Sequence, residues 1–157
     1  MSRIIAIDPG TEQSAYVVLQ AGEPLTWAIV PNDALLRMVR TELAETIIAV
    51  EQIESFGMAV GREVFETVKL TGRIQEIVSH ASHCDLVWIP RRKVKLHLCG
   101  NMKAKDPNIR QALIDRYGGT AETKKGGKLY KLASHCWAAL AVGVVAYDEL
   151  SAKAGAA

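Results

Sequence analysis

The sequence predicts an α/β protein: a mixed five-stranded sheet, three antiparallel strands followed by parallel ones, with helices on both faces. Three observations carry this. Five short runs rich in β-branched and apolar residues fall at 3–7, 15–19, 25–30, 46–50 and 86–89. The first three are separated only by turns, whereas amphipathic helical patterns flank the last two. The composition, 49% hydrophobic with 6% aromatic in 157 residues, supplies an aliphatic core of single-domain size. Residues 1–150 are assigned to that domain and 151–157 to a frayed C-terminal tail.

The elements follow in order. Arg3-Ile4-Ile5-Ala6-Ile7 is a buried strand that ends at Asp8, because Pro9 cannot pair inside a sheet and Gly10 favours a turn. Ala15–Leu19 and Leu25–Val30, joined by a turn at Gly22-Glu23-Pro24, complete an antiparallel meander. Asn32 or Asp33 can cap a helix over 34–44, with Leu35, Leu36, Val39 and Leu43 on one face. Thr46–Val50 is a second fully apolar strand, followed by Glu51. Val64, Val68, Ile74, Ile77 and Val78 recur at helical spacing between Arg62 and His80. Leu86–Ile89 is the fifth strand, stopped by Pro90. Helices are expected over 91–98 and over 107–117, the latter closed by Gly118-Gly119. The polar, glycine-bearing segment 120–128 is expected to be mobile. Ser134 can cap a last helix running to about Leu150, with Trp137, Leu140, Ala141, Val144 and Val145 on its core face. Ala138, Ala139 and Gly143 are small enough to let it approach the sheet closely.

Two of these strands deliver an acid at their end, Asp8 and Glu51. If the strands are neighbours, the carboxylates meet at one edge of the sheet, where they repel unless a cation lies between them. Glu54 competes for the second role, and an Asp-Pro-Gly turn that only closes a strand is the plainer alternative for Asp8. Charge is segregated along the chain. Residues 91–131 hold twelve bases against three acids, a local balance of +9, while the first ninety residues hold six bases and twelve acids. Such a block points to a polyanion, nucleic acid first, or else to a solvated basic face. Arg91, Arg92, Lys93, Lys95, Lys103, Lys105, Arg110, Lys124, Lys125 and Lys128 are the candidate phosphate contacts.

No apolar run reaches the length of a membrane span, and the N-terminus lacks a signal-peptide pattern. Three cysteines without a CxxC pair fit reduced thiols and a cytoplasmic setting. His80, His83 and Cys84 match no common zinc spacing. Gly126-Gly127-Lys128-Leu129 is not a phosphate-binding Walker loop, since no Ser or Thr follows the lysine.

The ordered combination of Ile-Asp-Pro-Gly-Thr at 7–11, Ala-Val-Glu-Gln at 49–52 and a late helix with a polar start resembles RuvC, the Holliday junction resolvase family of the RNase H-like superfamily. The stretches Gly61-Arg62-Glu63-Val64-Phe65-Glu66-Thr67, Val94-Lys95-Leu96-His97-Leu98-Cys99-Gly100, Ala104-Lys105-Asp106-Pro107-Asn108-Ile109-Arg110-Gln111-Ala112-Leu113 and Trp137-Ala138-Ala139-Leu140-Ala141-Val142 look closer still to RuvC-like resolvases of bacteriophages and prophages. The resemblance implies an RNase H-like fold and a Mg²⁺-dependent endonuclease in which Mn²⁺ can substitute, with two ions per site. Asp8, Glu51 and His135 match the metal-binding positions. His135 is alternatively a general base. One turn later, where RuvC usually has a fourth ligand, this chain has Ala138. Lys103 and Lys105 match a loop near the pocket and are candidates for transition-state stabilisation. Phe56 is either a wedge against an unstacked base or a core residue. The implied partners are branched DNA and a second copy of the chain, a homodimer formed through the 62–80 helix that makes symmetric nicks. A branched-DNA-binding protein with weakened catalysis and an RNase H-like nucleotide-binding module are the alternatives.

Overall fold

The apolar runs pair into one sheet. A computed structural model describes residues 3–55, 57 and 59–156; Phe56, the candidate wedge, lies outside the described residues. The strands are β1 (Arg3–Asp8), β2 (Gln13–Gln20), β3 (Glu23–Pro31), β4 (Thr46–Gln52) and β5 (Cys84–Pro90), in the sheet order β3-β2-β1-β4-β5. β1, β2 and β3 are antiparallel neighbours, and β1, β4 and β5 run parallel. The helices are α1 (Asn32–Thr41), α2 (Arg62–Ser79), α3 (Arg91–Cys99), α4 (Asp106–Arg116) and α5 (Cys136–Gly155). This is the mixed sheet, three antiparallel strands and then parallel ones, that the sequence predicts.

Side chains alternate across each strand, so each central strand supplies two cores. Ile5, Ile7, Ile48 and Val50 pack with Leu35, Leu36 and Val39 of α1 and with Leu70, Ile74 and Val78 of α2. Ile4, Ala6, Ile47 and Ala49 face the other way, into the cluster formed by α5, α4 and α3. α5 is buried on nearly every side from Ala139 to Ala146, because α3 and α4 cover the side that the sheet leaves open. Gly143 sits where a Cβ would lie 2.4 Å from Leu19 Cδ1 and 2.9 Å from Ala6 Cβ, so only glycine lets α5 rest this close to β1 and β2.

Several boundaries differ from the sequence reading for identifiable reasons. The β2–β3 turn is Ala21-Gly22, both at positive φ, and Glu23 and Pro24 belong to the edge strand β3. Asn32 does not cap α1. It is the first helical residue, Pro31 is the cap, and the Asn32 amide is spent on Gly10 O and Thr11 O, each at 3.0 Å. Segment 120–128 forms a 3₁₀ turn (Thr120–Thr123) tied down by Lys128 N to Glu122 Oε2 and Leu129 N to Glu122 O, and it leads into Leu129, which is 1% exposed. Ser134 does not cap α5; it takes a positive φ of 50°, and His135 is the cap residue. α5 itself continues to Gly155, past the point where fraying was expected.

Candidate active site at the edge of the parallel strands

The parallel register does the first part of the work. Ile7 stands opposite Val50, so the next residues, Asp8 and Glu51, leave the sheet side by side. Alternation puts both on the face of Ala6 and Ala49, which is the face covered by α5. There His135, the residue that opens α5, brings Nδ1 to 2.9 Å from Asp8 Oδ2. The Asp8 side chain is 15% exposed and that of His135 73%. Asp8, Glu51 and His135, taken from three distant parts of the chain, thus converge.

The two carboxyl groups are in hydrogen-bond contact, and burial raises the pKa of both. Glu51 is pushed up to about 7, first by burial and then by the Asp8 charge, with Arg91 pulling the other way. Asp8 is raised by burial, against the opposing pull of His135. Burial and the neighbouring Asp8 charge thus favour the protonated form of Glu51. Glu54 is directed elsewhere, 3.2 Å from Arg92, with Oε2 buried and without a hydrogen-bond partner.

The turn after Asp8 is fixed by a local network. Gly10 N donates to Ser14 Oγ (3.1 Å), whose hydroxyl donates to Asn32 Oδ1 (2.7 Å). A Cβ on Gly10 would fall 2.2 Å from Gln13 O. Asp8, this turn, His135 and Glu63, Val64 and Thr67 of α2 line an open cleft of about 720 Å³.

Among the described residues no three His, Cys, Asp or Glu side chains stand as a preformed ion cluster. Asp8 instead spends its oxygens on His135 and Glu51. The donor set nevertheless suits a hard divalent cation, being two adjacent carboxylates whose proton affinity is raised and one imidazole.

The basic residues are unevenly placed. Arg91, at the start of α3, bonds Asp106 and acts electrostatically on both Asp8 and Glu51. Arg92 pairs with Glu54, Lys93 with Glu149 (2.7 Å) and Lys128 with Glu23 (2.9 Å). Lys95, Lys103, Lys105, Lys124 and Lys125 make no ion pair among the described residues. Neither Lys103 nor Lys105 lines the cleft at Asp8. Sequence reasoning did not single out Glu63, Ser134 or the Arg91–Asp106 pair for this site. Only the positive local charge at 91–92 hinted at the last.

Comparison with solved structures then places the architecture. Thermus thermophilus RuvC superposes with a TM-score of 0.73 at 16% identity over 96% of both chains. This chain has the RuvC fold. T. thermophilus RuvC in complex with a Holliday junction substrate matches with a TM-score of 0.67 at 18% identity over 95% of both chains. No family model matches the sequence, and no curated protein matches it. The RuvC likeness therefore rests on shape, carried by a strand order and helix placement that sequence identity barely records. No described helix is long and apolar enough to cross a membrane.

Proposed function

We propose that the protein is a structure-selective endonuclease that cleaves Holliday junctions and related branched DNA by divalent-metal-dependent phosphodiester hydrolysis. The observation that carries this is the meeting of Asp8, Glu51 and His135 at the rim of the parallel strands, in a fold that T. thermophilus RuvC shares. Asp8, Glu51 and His135 would hold Mg²⁺ or Mn²⁺, two ions per site, whose charge would neutralise the phosphoryl oxygens and activate water. His135 is alternatively the general base: with Nδ1 turned to Asp8 Oδ2, Nε2 would take a proton from water instead of holding an ion. Lys103 and Lys105 are proposed to reach the transition state from their loop, and Lys95, Lys124 and Lys125 to track backbone phosphates.

Paired nicks across a four-way junction need two sites related by a two-fold axis. Phe65 and Val68 of α2, 57% and 46% exposed, support a homodimer through that helix. A labelled four-way junction incubated with Mg²⁺ or Mn²⁺ and no nucleotide tests the reading, and paired symmetric nicks are expected. Binding without nicks would favour the second reading, a branched-DNA-binding protein. That reading is motivated by Ala138, which offers no oxygen one turn after His135.

A further inference from the structure

Beside the carboxylates lies a second cleft, of about 290 Å³, lined by Arg91, Asp106, Arg110, Ser134, Trp137 and Ala138 together with His135 and Ile109. Its donors are poorly used. Arg91 Nη2 donates to Asp106, while Nη1 is buried without a hydrogen-bond partner. Trp137 Nε1 is also buried and unpartnered. Arg110 Cζ lies over the Trp137 ring, 4.8 Å from its centroid, and Arg110 makes no ion pair among the described residues. The cleft thus holds two guanidinium groups against one carboxylate, that of Asp106.

The two partners in the ion pair are unlike. The Arg91 side chain is 27% exposed, fixed between the end of β5 and the carboxylate rim, whereas that of Asp106 is 85% exposed. A solvated acid resting on a fixed cation is weakly held and exchangeable. A backbone phosphodiester offers what Asp106 offers, two anionic oxygens for a guanidinium fork, and each oxygen has a further lone pair that a second arginine can use.

We propose that this cleft binds one phosphate of the nucleic-acid backbone through Arg91 and Arg110, and that Asp106 is the counter-ion which the phosphate displaces. The inference rests on the endonuclease reading and deepens it. His135 lines both clefts, so the phosphate held here is a near neighbour of the one cut. Asp106 makes the empty site neutral enough to hold Arg91 in place and makes its occupation conditional on a stronger anion.

The test is junction binding in EDTA, read by fluorescence anisotropy, so that no cleavage is required. Asp106→Asn should tighten binding roughly tenfold, the scale of one charge-assisted hydrogen bond. Asp115→Asn, the same charge change further along α4, should alter it less than about twofold, since exposed charges are screened over roughly 8 Å. In an Arg91→Gln background the gain from Asp106→Asn should vanish. Arg91→Lys serves as a second background should Arg91→Gln melt early. An equal gain from both aspartate variants, or a gain that persists without Arg91, overturns the proposal while leaving the endonuclease reading intact. Failure of the unaltered protein to bind any DNA overturns both.

Discussion

His135 Nδ1 stands 2.9 Å from Asp8 Oδ2 across 127 residues of sequence. The contact joins the first strand to the last helix and makes the site a product of the whole fold. Asp8→Asn keeps the shape of that contact but removes the charge. Junction nicking in Mg²⁺ should fall at least a hundredfold, with junction affinity within about threefold of the unaltered protein. Full nicking activity in this variant would contradict the role given to Asp8.

The Glu51 proton makes stability depend on pH. The folded protein retains this proton up to about pH 7, whereas an ordinary glutamic acid releases it near 4.5. Between these values the folded state binds more protons than the unfolded state, so stability falls as pH rises and levels off above 7. Asp8, raised in the same direction, adds to the fall. The Glu51 contribution is of order 3 kcal/mol. Urea denaturation in EDTA at pH 5 and pH 8 should show this loss, and Glu51→Gln should flatten it.

Divalent ions should act on the same groups with the opposite sign. An ion that binds the ionised pair stabilises the fold by mass action. Mg²⁺ should raise the Tm at pH 8 more than at pH 5, and Asp8→Asn should abolish the difference. A Tm equally insensitive to Mg²⁺ at both pH values would argue against an ion at this position.

Gly143→Ala should destabilise the fold by about 1–3 kcal/mol, because the new methyl would lie 2.4 Å from Leu19 Cδ1 and 2.9 Å from Ala6 Cβ. Lifting α5 also moves His135, so nicking should drop in a variant altered far from the chemistry. Urea denaturation and a nicking assay on the same preparation check both effects.

The salt dependence of junction binding separates unpaired from paired cations. Lys124→Ala with Lys125→Ala should reduce the slope of log K against log salt by nearly 2, at about 0.9 per phosphate contact. Arg92→Ala should reduce it less, since Arg92 already faces Glu54 at 3.2 Å.

Much of this architecture is legible in the sequence because its signals are local. Each strand is an apolar run, α2 carries a clear helical period, and the acids follow directly on β1 and β4. The facing of those acids is less legible. β1 and β4 are buried on both sides, so no polar alternation marks which side chains point towards α5. In the sequence only its position directly after the apolar run distinguishes Glu51 from Glu54, and in the fold Glu54 turns to Arg92. The Arg91–Asp106 pair was invisible for another reason. It joins the first residues of two helices whose packing angle no periodicity encodes. Asn32 reads locally as a helix cap, and only the fold shows its amide committed to the turn after Asp8.

The late position of His135 has a consequence for biosynthesis. A chain emerging from the ribosome presents both carboxylates long before α5 exists to cover the sheet and bring the imidazole to them. A site built this way is incomplete until α5 has docked, so the proposed cleavage would have to wait for that step.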